Sequence, residues 1–133
     1  MPRSARSALA LAGLMAAAGT AHFLAPKPFD ALVPRVLPGR PRTWTRLSGA
    51  AELALAAGLA VPGTRRAAAR ATAVFLTAVL PANVQMAHDW RHRSPVARAA
   101  ARARVPLQLP LILWAGHAAR GAEGPRDRSP ARG

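Results

Sequence analysis

Five polar side chains interrupt the apolar stretches of this chain, and their types limit the chemistry that they could perform: His22, Glu52, Asn83, Gln85 and Gln108. Glu52 carries an ionisable carboxyl group inside the apolar run 47–64. The imidazole of His22 can both donate and accept a proton, and the three amides form hydrogen bonds without titrating. Together these groups could line a pocket that hydrogen-bonds a small polar headgroup, for instance a quinone ring, or could relay protons.

A structural role for Glu52 competes with these functions. An acidic side chain inside a membrane-spanning helix costs on the order of 2.5 to 3.5 kcal/mol to insert, so it usually faces the interior and a partner. A protonated Glu52, or one paired with His22 or Arg46, would hold the helices in register without any further activity. The sequence leaves both interpretations open.

Other reactive groups are scarce. The chain contains no cysteine, which excludes disulfides, a thiolate nucleophile and cysteine-ligated metal centres. His88, His92 and His117 fall at predicted helix ends or in loops, and the spacing H-E-x-x-H is absent. We therefore predict no metal site.

The elements that must position the polar side chains are apolar segments between clusters of cations. The 133 residues are 51% hydrophobic and carry a formal charge of +14. Twenty uncharged residues, from Ser7 to Pro26, would form a helix about 30 Å long, which matches the hydrocarbon core of a bilayer. The pattern predicts an all-α integral membrane protein, a four-helix transmembrane bundle over residues 1–120 with a disordered basic tail at 121–133. The predicted spans are about 7–25, 45–62, 70–88 and 104–119.

Two segments need separate treatment. The loop 27–46 contains apolar residues at helical spacing but is interrupted by Pro34, so we expect a short segment on the membrane surface. The first span also has features of a signal peptide, because Arg3 and Arg6 precede an apolar run that ends in small residues. Three further apolar segments favour a retained first helix.

Alternating helices would place the two long basic loops on one side of the membrane, called face A, and both termini with the short loop on the other, called face B. Face A then carries ten cations and face B nine, so charge does not orient the protein. The same arrangement places all five polar side chains in the half of the bilayer next to face A.

Small residues predict which helices touch, because close backbone approach is the main attraction between helices in lipid. They recur every four residues in the first span, at Gly13, Ala17 and Ala21, and in the second, at Ala50, Ala54 and Gly58. We expect these two helices to pack along that seam.

Several strings resemble the DoxX-like family of small bacterial membrane proteins: G-T-A-H-F-L-A-P-K-P-F (19–29), V-P-R-V-L-P (33–38), S-G-A-A-E-L (48–53), V-P-G-T-R-R-A-A (61–68), P-A-N-V-Q-M-A (81–87) and P-L-Q-L-P-L (106–111). The resemblance covers about residues 12–114. It implies a multi-pass protein of the inner membrane with both termini cytoplasmic and face A outside.

The activities of most DoxX-like members are undefined. The founding relatives look like membrane subunits of a thiosulfate:quinone oxidoreductase, and others are associated with membrane redox complexes. The family pattern falls on these positions without assigning them catalytic roles: His22, Phe23, Pro26, Gly49, Glu52, Asn83, Gln108 and Pro110. The absence of cysteine departs from what direct thiol chemistry would need.

Two functions follow as expectations. The first is a non-catalytic accessory or anchor subunit of a membrane redox complex, without a cofactor of its own. The second is a quinone-binding subunit that uses the polar residues around Glu52. The expected partners are the lipid bilayer and redox-complex subunits, with self-association left open. A nucleic-acid binder is not expected, because the cations flank apolar segments where anionic lipid headgroups would meet them.

Overall fold

A computed structural model describes residues 2–122, and this part of the chain forms helices and turns without a strand. The helices are α1 (Arg3–Leu24), α2 (Pro26–Asp30), α3 (Pro41–Ala60), α4 (Arg65–Asp89) and α5 (Pro95–Gly121), with a 3-10 turn at Trp90–His92 before α5. The all-α class is therefore confirmed. The expected disorder of the tail concerns residues that, from 123 onward, lie outside the described ones.

The start of α5 differs most from the sequence expectation, since the helix begins at Pro95 and not near residue 104. Ser94 is its N-cap, and the Ser94 hydroxyl accepts a hydrogen bond of 3.3 Å from the Ala97 amide. Proline is well suited to the first helical position, and alanine and arginine are strong helix formers. As a result three cations that we expected in a loop, Arg98, Arg102 and Arg104, lie on α5.

The long helices associate mainly as two pairs, α1 with α3 and α4 with α5. Smaller contacts join α3 to α4 and α1 to α5. The α1–α5 contact includes a hydrogen bond of 2.8 Å from the Trp114 indole N–H to the Ser7 hydroxyl. Consecutive long helices are thus neighbours in space, as short connections require.

The expected seam between the first two long helices is correct in the choice of helices, but four of its six residues do not lie in it. Gly13, Ala17, Ala50 and Ala54 are all exposed. The buried side of α1 instead contains Ala8, Leu11, Ala12, Met15 and Gly19. This stripe has the spacing of one helix face, and it includes larger side chains that a search for small residues passes over.

Side chains from the turn between α3 and α4 satisfy the last carbonyl groups of α3. The Thr64 hydroxyl donates to the Gly58 carbonyl at 2.8 Å. Arg65 donates from Nε to the Leu59 carbonyl at 2.9 Å and from Nη2 to the Ala60 carbonyl at 3.1 Å. A cation at this position also interacts favourably with the negative end of the helix dipole.

We predict that Arg65→Ala lowers the free energy of unfolding by about 1–2 kcal/mol, because it removes two charge-assisted hydrogen bonds to helix-end carbonyls. Thermal unfolding of the purified chain in detergent would measure the change. Arg3→Ala is the matched control, since Arg3 is exposed on the first turn of α1 and its loss should change stability by less than about 0.5 kcal/mol. Equal effects of the two changes would contradict the capping role.

Residue size is distributed in an unusual way between the interior and the surface. Most of the buried apolar residues are alanines, whereas Leu24, Val74 and Leu113 are 80%, 68% and 70% exposed. Among the described residues, α1 and the segment Arg65–His92 are long and apolar enough to cross a membrane. Only 28% of the most apolar part of each is buried within the protein, whereas the core helix of a soluble protein is mostly buried.

Candidate functional site

Two glycines set the geometry at the crossing of α1 and α3. A Cβ atom on Gly19 would lie 2.9 Å from the Gly49 carbonyl oxygen and 3.1 Å from Glu52 Cβ. A Cβ atom on Gly49 would lie 2.8 Å from His22 Cβ and 3.1 Å from the Gly19 carbonyl oxygen. Each glycine therefore lies opposite a polar side chain of the other helix and leaves room for it.

His22 and Glu52 meet at this crossing. The imidazole Nδ1 lies 2.9 Å from Glu52 Oε2, and the two side chains are only 13% and 12% exposed. Nδ1 also lies 2.7 Å from the carbonyl oxygen of Ala18, one turn earlier in α1. A carbonyl can only accept, so we assign the imidazole proton to Nδ1.

This assignment leaves Glu52 less well satisfied than its partner. The Nδ1 proton points to the Ala18 carbonyl, and Glu52 Oε2 is buried without a well-directed hydrogen bond. The contact between the two side chains is consequently an electrostatic one, in an environment where an unpaired polar atom is costly. Arg104 of α5 adds an attractive charge near the carboxylate.

The short helix α2 covers the imidazole from outside. The ring of Phe29 stacks on that of His22, with ring centres 3.8 Å apart and an angle of 21° between the planes. The next residue, Asp30, receives a hydrogen bond of 2.8 Å from Arg42 Nε on α3. The nearby Thr45 hydroxyl, followed by the Arg42 guanidinium, lowers the pKa of the Asp30 carboxyl group. Asp30 thus stays ionised at neutral pH and fixes α2 against α3.

The second polar pair joins α4 to α5. Asn83 Nδ2 donates to Gln108 Oε1 at 3.2 Å, and Gln108 Nε2 donates to the Leu76 carbonyl at 2.8 Å. Both amide side chains are buried. Pro81 lies between Leu76 and Asn83 on α4. Because proline has no amide hydrogen, it cannot donate a hydrogen bond to a carbonyl of the preceding turn. The Gln108 side chain therefore links α5 to α4 on both sides of that proline.

The structure thus distributes the five polar residues over three places. His22 and Glu52 form one pair, Asn83 and Gln108 form another, and each pair joins two neighbouring helices. Gln85 belongs to neither, because it is exposed near the end of α4 and donates to Asp89 Oδ1 at 2.9 Å. No contact described for residues 2–122 joins the two pairs directly.

Two residues near the His22–Glu52 pair were not anticipated from the sequence. Phe29 and Arg104 were assigned to loops, so their proximity to the first pair did not enter the prediction. A signal for the pair itself was present, because His22 and Glu52 each follow a glycine of the crossing by three residues. Positions three apart share a helix face. Within residues 2–122, no three acidic or histidine side chains are grouped so as to hold a metal ion.

Residues 11–119 match the family model described as Domain of unknown function (DUF8561). No curated protein and no solved structure matches the chain. The matched range includes the glycine crossing and both polar pairs. Because this model covers well over half of the sequence, the chain belongs to the DUF8561 family.

Proposed function

We propose that this chain is an integral protein of the inner membrane, a four-helix transmembrane bundle with both termini cytoplasmic. It serves as a non-catalytic accessory or anchor subunit of a membrane redox complex. The observation that carries the membrane location is the placement of small residues inside and larger apolar side chains outside. Examples of the latter on each long helix are Leu24, Leu47, Val74 and Leu113. Lipid tails would cover these side chains, whereas exposing them to water would be energetically unfavourable.

The other two long helices, α3 and α5, are also compatible with this location. The carboxyl group of Glu52 on α3 is not exposed to lipid, since it lies against His22 and is 12% exposed. The 27 residues of α5 extend for about 40 Å, more than the roughly 30 Å of the hydrocarbon core. The basic first turns of α5 can therefore lie among the headgroups of face A while its apolar part crosses the bilayer.

The accessory role is supported by how the buried polar side chains are used. Both oxygen and nitrogen of the Gln108 amide are bonded to α4, and the His22 proton is bonded within α1. The Gln108 amide joins α5 to α4, and the His22–Glu52 contact joins α1 to α3. The redox setting rests on the resemblance of the motifs around His22, Glu52 and Asn83 to the DoxX-like family. Because the chain has no cysteine, its partner would supply any thiol chemistry.

A second candidate, a quinone-binding subunit, is favoured by one observation. Glu52 Oε2 is buried without a well-directed hydrogen bond, next to an imidazole that carries a proton. A hydroquinone hydroxyl can donate a hydrogen bond to this carboxylate oxygen, whereas the imidazole proton is already bonded to the Ala18 carbonyl. The His22–Glu52 pair could therefore recognise the reduced form of such a ring.

Two measurements test these proposals. Alkaline carbonate and high salt should leave the protein in the membrane fraction, whereas a peripheral protein would be released. Affinity purification of the tagged chain from its own membranes in mild detergent should then recover a stoichiometric redox protein, identified by mass spectrometry. Solvent extraction of the same sample would show whether quinone is bound.

The outcomes separate the two functions. A redox partner without quinone supports the accessory subunit. Quinone that is retained by the wild type and lost from Glu52→Ala supports the quinone-binding subunit. Release by carbonate would contradict the membrane location on which both depend.

A further inference from the structure

A cleft of about 730 Å³ lies at the face A end of the helices, away from both polar pairs. One wall is the turn 31–36 that follows α2, and the other is formed by the end of α4 and the residues 90–93 after it. The two walls belong to different helix pairs, since α2 packs on α3 and the 3-10 turn packs on α4 and α5. A ligand in this cleft would bridge the two halves of the protein.

The polar side chains of the cleft are mainly cationic. Arg35 contributes from one wall and Arg91 and Arg93 from the other, against the single carboxylate of Asp89. With His92 neutral the lining carries two net positive charges. Asp89 is already engaged by Gln85, and Arg91 uses one N–H on the His88 carbonyl, which leaves further guanidinium donors for a ligand. The cleft is suited to an anion with several oxygen acceptors, of which phosphate is the usual biological example.

The remaining lining is apolar, which distinguishes this cleft from a site for a small soluble anion. Leu32, Val33, Val36 and Met86 contribute to it. Val36 is 86% exposed, so its isopropyl group is available to a ligand. The Trp90 ring, stacked under the Arg93 guanidinium at 4.5 Å, combines an apolar face with a polar edge, as is typical of side chains at the membrane interface.

We propose that this cleft binds an anionic phospholipid of the face A leaflet, with its phosphate between Arg35 and Arg93. The first carbons of the acyl chains lie against Leu32, Val33 and Val36. The inference rests on the proposed membrane location but not on the redox role. Because the lipid touches both helix pairs, it also holds the second pair against the first.

The test uses the full chain purified in an uncharged detergent. Short-chain phosphatidylglycerol, short-chain phosphatidylcholine and glycerol phosphate are titrated separately, and tryptophan fluorescence and thermal unfolding are followed. We expect saturable binding of phosphatidylglycerol at least tenfold tighter than that of the other two probes, with a rise in the unfolding temperature.

Variants locate the site. Near a charged surface each arginine contributes about fivefold to the affinity for an anionic lipid, so Arg35→Gln and Arg93→Gln should each weaken binding about fivefold and together about twentyfold. Arg40→Gln is the matched control, since Arg40 is exposed in the same connecting segment but does not line the cleft. At physiological salt, where charges are screened beyond about 8 Å, its effect should stay below about twofold.

Three results would overturn the proposal. Equal loss in Arg40→Gln would mean diffuse attraction of lipid to a basic surface. Glycerol phosphate bound as tightly as the lipid would mean a site for a soluble phosphate ester. Equal binding of phosphatidylcholine would mean that charge plays no part. Carbonate extraction of the membranes from which the protein is purified reports separately on the membrane location, so failure of one proposal is distinguishable from failure of the other.

Discussion

Replacing Gly19 with alanine should lower the free energy of unfolding by about 1–3 kcal/mol, the usual cost of forcing an extra methyl group into a packed interface. The new Cβ atom would lie 2.9 Å from the Gly49 carbonyl oxygen. That oxygen belongs to the backbone of α3, so the contact cannot be relieved by rotating a side chain. The two helices must separate, which also draws His22 away from Glu52. Thermal unfolding in detergent measures the loss.

Gly13→Ala is the matched control for this change. Gly13 lies on the same helix, and a Cβ atom built there meets nothing within 4 Å. Because alanine is a better helix former than glycine by about 0.5–1 kcal/mol, this variant should be as stable as the wild type or more so. If Gly19→Ala is no less stable than Gly13→Ala, then α1 and α3 are farther apart at the crossing than the structure shows.

Much of the fold could be predicted from the distribution of charge. Cations mark where the chain leaves its apolar segments, so the number of long helices was accessible. The pairing of the first two was accessible from the spacing of small residues. The start of α5 was not, because Arg98, Arg102 and Arg104 indicate a loop when cations are counted. Ser94 and Pro95, the N-cap and first residue of α5, are the local signals that mark its start, and a count of cations does not include them.

Four of the five predicted polar residues join helices to one another, but only part of their geometry was predictable. A buried carboxyl group needs a partner, and His22 was one of two partners considered for Glu52. The separation into two pairs could not be derived, because it depends on rotation of each helix about its axis. That rotation is set by close contacts such as Gly19 against Gly49, which depend on two distant segments at once. Gln85 is the predicted residue that this rotation excludes, since it lies only two residues beyond the buried Asn83 on α4 and yet is exposed.

Removing the imidazole should be the most damaging single change in this site. In His22→Leu, Glu52 loses the group that lies 2.9 Å from its Oε2 atom, and that oxygen has no well-directed hydrogen bond of its own. Breaking a buried pair from one side costs about 3–5 kcal/mol. In Glu52→Leu the imidazole proton keeps its hydrogen bond to the Ala18 carbonyl, so a loss of only about 1–2 kcal/mol is expected.

The same asymmetry supplies the decisive control. Introducing Glu52→Gln into His22→Leu should recover most of the lost stability, because an uncharged amide is far cheaper to bury than a lone carboxylate. Glu52→Gln alone should unfold within about 1 kcal/mol of the wild type, since the amide has nearly the same shape and the Nδ1 proton keeps its hydrogen bond to the Ala18 carbonyl. This variant should also co-purify with the same redox partner. If Glu52→Gln is equally stable but no longer retains quinone or supports the activity of the complex, the pair acts on a ligand, and the quinone-binding subunit replaces the accessory one.

A greater loss of stability from Glu52→Leu than from His22→Leu would contradict the predicted asymmetry. It would show that the carboxyl group has a stabilising partner beyond the imidazole.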